Sequence, residues 1–321
     1  MSRLFCIGLL LSLLLTVTLA STGDQRPEYR NCVADCSAKY CPTELQLCLR
    51  ATFWTCEQNC QYHCMQEITR QAIQNGDEIH QYHGKWPFHR LFGIQEPASV
   101  LFSILNGWMH FKYLPIIQKQ IPSSYPLKKL YIAWCIIGIN TWIWSTVFHI
   151  RDFALTEKLD YFSAGFGILY SLYYAIIRLF YVRNALIIKG LTAVFAFMFL
   201  AHISYLSFVR FDYGYNMLAC IVIGSIQTNL WLWWSILQYT PWGDKRRRPY
   251  AWLAGFTVIA ISCAMALEVF DFPPWFGVID AHSLWHATTI PMVAVWYNFL
   301  LKDTSYELTL GDVRGSSKRM A

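Results

Sequence analysis

Apolar side chains fill long blocks of the chain from residue 97 onward, and most charged side chains fall in the short intervals between these blocks or at their ends. Seven blocks have roughly the 20 residues that a helix needs to cross a bilayer. The sequence therefore predicts an all-α membrane protein in which residues 97–301 form one seven-transmembrane helix bundle. The predicted spans are 97–118, 128–149, 159–182, 186–208, 213–237, 250–270 and 282–301.

The start of the chain has a different pattern. Arg3 precedes an apolar run, Leu4–Leu15, and small residues follow it up to Ala20. This order is typical of a secretory signal peptide, so we predict that residues 1–20 are a signal peptide and that residues 21–96 are lumenal. The alternative is a first membrane span, but the run is short for one and a polar segment follows it at once.

Cysteines are concentrated in the predicted lumenal segment, where an oxidising compartment favours disulfides. Several are separated by three residues, which places their thiols one helical turn apart, as two antiparallel helices joined by disulfides would require. The alternative is a zinc knuckle, although that site usually has CxxC spacing. An odd number of cysteines leaves one thiol without a partner inside the cluster, which comprises Cys32, Cys36, Cys41, Cys48, Cys56, Cys60 and Cys64.

Composition excludes two broad classes of protein. Hydrophobic residues make up 55% of the chain and charged residues 14%, whereas soluble globular domains have about 25% charged residues and disordered chains have little apolar surface. Residues 21–96 contain seven Lys/Arg and nine Asp/Glu, and residues 97–321 contain eighteen and eleven. We interpret this basic excess as a signal for membrane topology and expect no nucleic-acid partner.

Loop charges predict the orientation of the bundle. With residues 21–96 in the lumen, fourteen Lys/Arg at the loops and ends of the spans fall on the opposite side and three on the lumenal side, in agreement with the positive-inside rule. The predicted tail, 302–321, is then cytosolic. The run Asp244–Arg248 is expected to be a topology anchor, with anionic-lipid binding as the alternative. The apolar residues of Trp86–Phe92 suggest a piece of chain that lies on the lumenal membrane surface.

Five polar residues fall at the lumenal ends of three predicted spans. Ser145 and His149 end the second span, Asp160 begins the third, and His282 and His286 begin the seventh. The i, i+4 spacing of the last two places both imidazoles on one face of a helix, as in zinc-binding HExxH helices. His149 would complete a three-histidine zinc site with an open fourth position for water, which is typical of hydrolytic sites.

The other two residues have candidate catalytic roles. Asp160 is predicted to act as a general base or acid on the activated water, and Ser145 to hold that water or polarise a substrate carbonyl. The alternative for Asp160 is an ion pair in a solvated loop. A metal-free alternative makes Ser145 the nucleophile and His149 its base, oriented by Asp152 or Asp160, but it leaves the two histidines of the seventh span without a role.

The pattern Ser145-x3-His149, Asp160 and His282-x3-His286 resembles the signature of the CREST superfamily of seven-span hydrolases. The resemblance implies zinc bound by the three histidines, with the serine and the aspartate catalytic. The Cys-rich segment and the runs Gln81–Phe88 and Gln95–Ser99 also resemble a family within it, the GPI-specific phospholipase A2-like proteins, where GPI is glycosylphosphatidylinositol.

This closer resemblance implies a Golgi membrane enzyme of GPI-anchor remodelling, with ER residence left open. Its substrate would be the sn-2 acyl ester in the lipid of GPI-anchored proteins. The alternatives are a seven-span receptor and a GPI-lipid carrier with a structural metal site. The Cys-rich segment would act as a folding staple, with a lid and a glycan-binding face as alternatives.

Overall fold

The computed structural model describes residues 21–41, 44–241, 248–269 and 271–319. The predicted signal peptide, residues 1–20, and most of the predicted topology anchor, residues 244–247, lie outside the described residues. The chain divides into two units. The first comprises the described residues up to Gly93 together with Pro273–Gly277, and the second contains the remainder from Ile94 onward.

The first unit is built on two antiparallel helices, α1 (Pro27–Tyr40) and α3 (Cys56–Asn75), with the short helix α2 (Leu47–Ala51) between them along the chain. A reciprocal capping box of Thr55 and Gln58 begins α3, since each side chain accepts a hydrogen bond from the other residue's backbone N–H. Three disulfides join α1 and its C-cap to α3, which confirms the predicted pairing of antiparallel helices. They are Cys32–Cys64, Cys36–Cys60 and Cys41–Cys56, and Cys48 is free.

Because six of these cysteines are in disulfides, their thiolates are not free to form the alternative zinc knuckle. The histidines of the following loop also have partners within the unit. His80 Nδ1 lies 3.0 Å from Thr22 Oγ1, and His83 Nε2 lies 3.0 Å from Tyr29 Oη. The first unit is therefore a disulfide-joined helix pair whose loop folds back onto α1.

The second unit contains seven helices at the positions of the seven predicted spans. They are α4 (Pro97–Gln120), α5 (Lys128–Ile150), α6 (Ala154–Leu179), α7 (Ala185–Ser204), α8 (Tyr213–Leu237), α9 (Trp252–Val269) and α10 (Ala281–Arg319). Neighbouring helices pack in the closed order α4, α5, α6, α8, α9, α10 and back to α4, whereas α7 packs outside against α6.

Four helices among the described residues, α5 to α8, are long and apolar enough to cross a membrane, and α9 contains a shorter apolar stretch, Trp252–Leu267. The α7 window has no buried residue. Most of its apolar side chains face outward, as lipid contact requires, and a partly buried strip that includes Phe195 and Phe199 packs against α6. The polar side chains that α4 and α10 contribute to the interior lower their mean hydropathy. For the described residues, the structure thus confirms an all-helical fold with four helices able to cross a membrane, and crossing by all seven helices stays a prediction.

Two helix boundaries differ from the predicted spans by five residues or more. α6 begins at Ala154 rather than residue 159, because Phe153 N donates to Thr156 Oγ1 and fixes an earlier first turn. α10 continues beyond residue 301, where the sequence predicted a separate tail. The reason is electrostatic: Asp303, which is fully buried, receives two hydrogen bonds from Arg178 near the end of α6.

Candidate metal centre

Three histidines meet where the end of α5 approaches the start of α10. His149 lies in the last turn of α5, and His282 and His286 lie in the first two turns of α10. His282 Nε2 is 3.3 Å from His149 Nε2 and 2.9 Å from His286 Nε2. The predicted convergence is therefore present in the structure. His149 and His286 are buried, and His282 is partly exposed, which leaves it on the accessible side of the cluster.

The start of α10 is held by a local cap. Asp280 accepts a hydrogen bond from Ser283 N at 2.8 Å through its carboxylate, and its own N–H donates to Ser283 Oγ at 3.0 Å. A side-chain acceptor ahead of the first turn satisfies N–H groups that have no partner within the helix. The cap fixes the chain two residues ahead of His282, so it sets the direction in which the histidine face begins.

Glu96, which immediately precedes α4, orients the first histidine. The Glu96 N–H donates to the His149 carbonyl at 3.1 Å, and Gln95 N donates to the Ile150 carbonyl at 3.0 Å, so the approach to α4 runs along the end of α5. Glu96 Oε2 then lies 2.7 Å from His149 Nδ1. A carboxylate accepts only, so Nδ1 carries the proton, and in the neutral ring Nε2 is left as a lone pair that faces the cluster.

Ser103 lies in α4, about two helical turns after Glu96, and it orients His286. Its Oγ lies 2.9 Å from His286 Nδ1 and 3.0 Å from Ser145 Oγ. All three residues are buried. Ser103 therefore joins the predicted catalytic serine to a predicted metal ligand, and it directs His286 Nε2 toward the other two rings.

The backbone of the same helix turn is also fixed from α4. Asn106 Nδ2 donates to the His286 carbonyl at 2.8 Å, and Thr289 Oγ1 donates to Asn106 Oδ1 at 3.2 Å. The Trp142 and Trp285 rings pack on the His286 ring with centroids 5.2 and 4.9 Å away. The ring and the backbone carbonyl of His286 are thus both fixed by hydrogen bonds, and the two tryptophan rings exclude water from one side of the imidazole.

The three nitrogen atoms match the coordination that zinc prefers. Zinc–nitrogen bonds of about 2.0–2.1 Å in a tetrahedral shell place ligand nitrogens roughly 3.3–3.4 Å apart. The measured separations of 3.3 and 2.9 Å are close to that spacing. Carboxylate and hydroxyl partners on the far ring nitrogens are the usual outer contacts of metal-binding histidines. The residues present therefore fit a three-histidine zinc site.

The predicted catalytic residues are placed differently. Ser145 lies in the interior next to Ser103, one helical turn before His149. Asp160 lies half-buried near the start of α6, and its carbonyl accepts a hydrogen bond from Ser163 Oγ at 2.9 Å. Its neighbour Tyr161 packs on Phe148 with ring centroids 6.1 Å apart, so the start of α6 adjoins the end of α5. The catalytic roles of the serine and the aspartate stay predictions.

Sequence reasoning missed three residues of this site, Glu96, Ser103 and Asn106. A signal for them existed in the first span, where polar side chains recur on one face of an otherwise apolar helix. That stripe consists of Ser99, Ser103, Asn106 and His110, all of them buried. His110 continues the stripe inward, where its Nδ1 lies 2.7 Å from Tyr297 Oη.

Comparison with known proteins gives consistent matches over most of the chain. A family model described as the Per1-like family matches residues 46–304. The "Protein PER1 homolog" of Schizosaccharomyces pombe is 41% identical over 306 residues, which cover 91% of this chain and 90% of that protein. Proteins named "GPI-specific phospholipase A2-like PGAP3" match at 39% identity in Xenopus tropicalis (92% and 94% covered) and 37% in Homo sapiens (90% and 91% covered). No solved structure matches the chain.

Proposed function

Because the chain belongs to the Per1-like family, we propose that it acts in GPI-anchor lipid remodelling, as the names of its relatives indicate for those proteins. We propose in particular that it is a zinc-dependent, phospholipase A2-type ester hydrolase that removes the sn-2 fatty acid from the lipid of GPI-anchored proteins. The products are a lyso-GPI protein and a free fatty acid. The observation that carries this proposal is the close approach of three histidine Nε2 atoms in a buried, hydrogen-bonded setting.

His149, His282 and His286 would hold the metal. When bound there, zinc supplies a Lewis acid that lowers the pKa of a coordinated water and polarises an ester carbonyl. Glu96 keeps the proton of His149 on Nδ1, so that its Nε2 lone pair is available. Ser103 performs the same positioning for His286. The half-buried Asp160 would accept the proton of the attacking water and return it to the departing alkoxide.

Ser145 would donate a hydrogen bond from its hydroxyl to the carbonyl oxygen of the ester, where negative charge develops during attack. Among the described residues, its hydroxyl bonds to Ser103 rather than to a histidine. This bond counts against the metal-free alternative, which requires a Ser145–His149 pair. The hydrogen bond between His286 Nδ1 and Ser103 Oγ links the serine pair to the histidine cluster, and Nδ1 must be its donor if Nε2 is to bind the metal.

The proposed orientation places the site at the lumenal boundary of the membrane, with the N-terminus lumenal and the C-terminus cytosolic. The charge distribution supports it, because the basic loops fall on the side away from His149 and His282. A GPI anchor lies in the lumenal leaflet, so its glycerol esters reach such a site without burial of the head group in hydrocarbon. Residence in the Golgi membrane is part of the same proposal.

The test measures zinc content and fatty-acid release in parallel on purified full-length protein and a GPI-anchored substrate. We expect one zinc per chain and ester cleavage in the wild type, and loss of both in His286→Ala. His202→Ala is the matched control, since His202 is a half-buried histidine of α7 that bonds to Asn216 outside the cluster. Full turnover by zinc-free His286→Ala would refute the metal assignment. Zinc retained without cleavage, with lipid still bound, would support the receptor or carrier alternative.

A further inference from the structure

Three phenylalanines of the first unit occupy turns with a backbone conformation that large side chains avoid. Phe53, Phe92 and Phe276 have φ angles of 59°, 49° and 55°. Positive φ is uncommon for residues other than glycine, asparagine and aspartate, because the Cβ atom crowds the backbone. The same three side chains are 73%, 77% and 92% exposed. Backbone strain and exposure of an apolar ring thus coincide at three separate turns.

The turns are tied to one another within the unit. Trp54 Nε1, one residue after Phe53, donates to the Gly93 carbonyl, one residue after Phe92, at 2.8 Å. Gly93 lies so close to Thr52 that a Cβ atom would overlap its hydroxyl. The turn that contains Phe276 is joined to the same stretch of chain, because His89 N donates to the Gly277 carbonyl at 2.7 Å. Both glycines have positive φ.

Arg90 packs next to the turns that contain Phe53 and Phe92. The Arg90 guanidinium lies between the rings of Trp54 and Tyr62, 4.5 and 4.0 Å from their centroids, and donates to Asn59 Oδ1 at 2.6 Å. Three further large apolar side chains of the first unit are more than half exposed: Leu91 and Trp275, next to two of these turns, and Leu47 at the start of α2. We call the whole set the turn-tip patch; it comprises Leu47, Phe53, Leu91, Phe92, Trp275 and Phe276.

The chain around the patch favours a lipid partner. Phe92 and Phe276 each precede by five residues the first residue of a bundle helix, Pro97 of α4 and Ala281 of α10, a distance of at most about 17 Å. In the second unit, the outer face of α4 is itself apolar, since Trp108 and Phe111 are more than half exposed. Single aromatic rings exposed at turns are suited to the membrane interface between head groups and acyl chains, where aromatic side chains concentrate.

We propose that the turn-tip patch inserts into the head-group and acyl boundary of the membrane that carries the substrate, and so holds the disulfide-joined unit on the bilayer surface. The proposal goes beyond hydrolysis and rests only on the membrane topology proposed above. The rings leave water when the protein enters the bilayer, which offsets the strain of the turns and explains why phenylalanine is tolerated there.

Photo-crosslinking tests the insertion directly. A benzophenone amino acid replaces Phe92 or Phe276 in the full chain, which is reconstituted into phosphatidylcholine vesicles that contain phosphatidylinositol with alkyne-tagged acyl chains. Phe197 of α7, 72% exposed, is the lipid-facing control, and Ile73 near the end of α3, 62% exposed, is the control for an exposed apolar residue outside the patch. We expect lipid adducts at both tips within about threefold of position 197 and at least about tenfold above position 73.

Yields at positions 92 and 276 no higher than at position 73 would overturn the proposal, as would an adduct of twice the chain mass, which would indicate a second copy on the patch. A second variant, Phe92→Ser with Phe276→Ser, should lose roughly tenfold in turnover of vesicle-borne substrate and none in turnover of a short-chain ester in detergent. Equal losses on both substrates would contradict it.

Crosslinking is repeated in the His286→Ala background. Crosslinking needs no catalysis. Lipid adducts in the His286→Ala variant would therefore support insertion even if the activity of that variant refutes the hydrolase proposal. Conversely, normal zinc-dependent turnover without tip adducts would remove the insertion proposal alone.

Discussion

The Glu96 carboxylate and the His149 imidazole lie 2.7 Å apart in the interior, with 4% and 2% of their surfaces exposed. A buried carboxylate is costly unless it is paired, and here the pair is formed by the residue just ahead of α4 and the last turn of α5. The same contact settles which nitrogen of His149 faces the cluster. Glu96 thus connects helix entry, histidine orientation and metal binding.

Glu96→Ala should weaken zinc binding. The expected loss in affinity is about 10- to 100-fold, as for other outer carboxylate partners of metal-binding histidines, and Glu96→Gln should lose less because its amide oxygen still accepts from Nδ1. Zinc retention during titration with a competing chelator measures both variants. Glu57→Gln, at an exposed position of α3, is the control. Affinity of Glu96→Ala equal to that control would rule out the positioning role.

Ser103→Ala should impair turnover more than folding. It leaves His286 Nδ1 and Ser145 Oγ without the hydroxyl that joins them, and a lost buried hydrogen bond costs about 1–3 kcal/mol, or roughly 5- to 150-fold in rate. Ser103→Thr retains the hydroxyl and should recover most of the activity. Ser262→Ala controls for removal of a serine from the bundle, because the Ser262 hydroxyl donates to the Val258 carbonyl within its own helix. Failure of the threonine variant, with normal zinc content, would point to packing instead.

Asp303→Ala should destabilise the bundle around the contact of α10 with α6, 17 residues beyond His286. It removes both hydrogen bonds that Arg178 makes to this carboxylate, and it leaves Glu307, 3.1 Å away, as the remaining carboxylate partner of the buried guanidinium among the described residues. Breaking a buried ion pair by removal of one partner costs about 3–5 kcal/mol. Unfolding of the purified protein by a denaturing detergent measures the loss. Lys302→Ala, at the exposed neighbouring position, is the control, and an equal midpoint for the two would contradict this prediction.

Gly138→Ala and Gly190→Ala should have opposite effects although both glycines lie inside helices. A Cβ atom at Gly138 would overlap the His110 ring, whereas one at Gly190 meets nothing within 4 Å. Overpacking costs about 1–3 kcal/mol, and alanine gains roughly 0.5–1 kcal/mol over glycine in an unobstructed helix. The same unfolding measurement orders the variants as Gly190→Ala above wild type and Gly138→Ala below it. A stabilised Gly138→Ala would show that His110 moves without cost.

Replacement of Cys36 and Cys60 by serine should loosen the first unit. Their disulfide closes a 24-residue separation, and release of such a loop costs about 3.5 kcal/mol in the chain-entropy model. Limited proteolysis of the first unit reports the change as faster cleavage. Cys48→Ser should be cleaved at the wild-type rate, because Cys48 is free. Unchanged cleavage of the double variant would mean that the other two disulfides suffice.

Much of this architecture could be predicted from local pattern. Block length gave the seven helices, and the spacing of His282 and His286 with a histidine at the end of α5 gave the cluster, because helical periodicity fixes which side chains share a face. Glu96 and Ser103 could not be assigned that way. Their roles depend on which helix packs beside α5 and α10, and that information is in tertiary contact rather than in spacing.

The continuation of α10 beyond residue 301 has the same origin. Nothing in the sequence near residue 301 marks a continuation of α10, because Asp303 is a polar residue at the edge of an apolar block. Its partner, Arg178, is 125 residues away along the chain. A charge that appears solvated in a linear sequence thus became buried because a distant charge of opposite sign reached it.

Because α10 is a single helix, it connects the two histidines near its start with Asp303 further along. Seventeen residues separate His286 from Asp303, about 25 Å of helix. If loss of the Arg178 contact rotates the helix at Asp303, the rotation also reaches the ligand nitrogens of the histidines, unless the helix bends at Pro291. Substitutions far from the metal, on the opposite side of the bilayer in the proposed topology, would then alter its coordination angles.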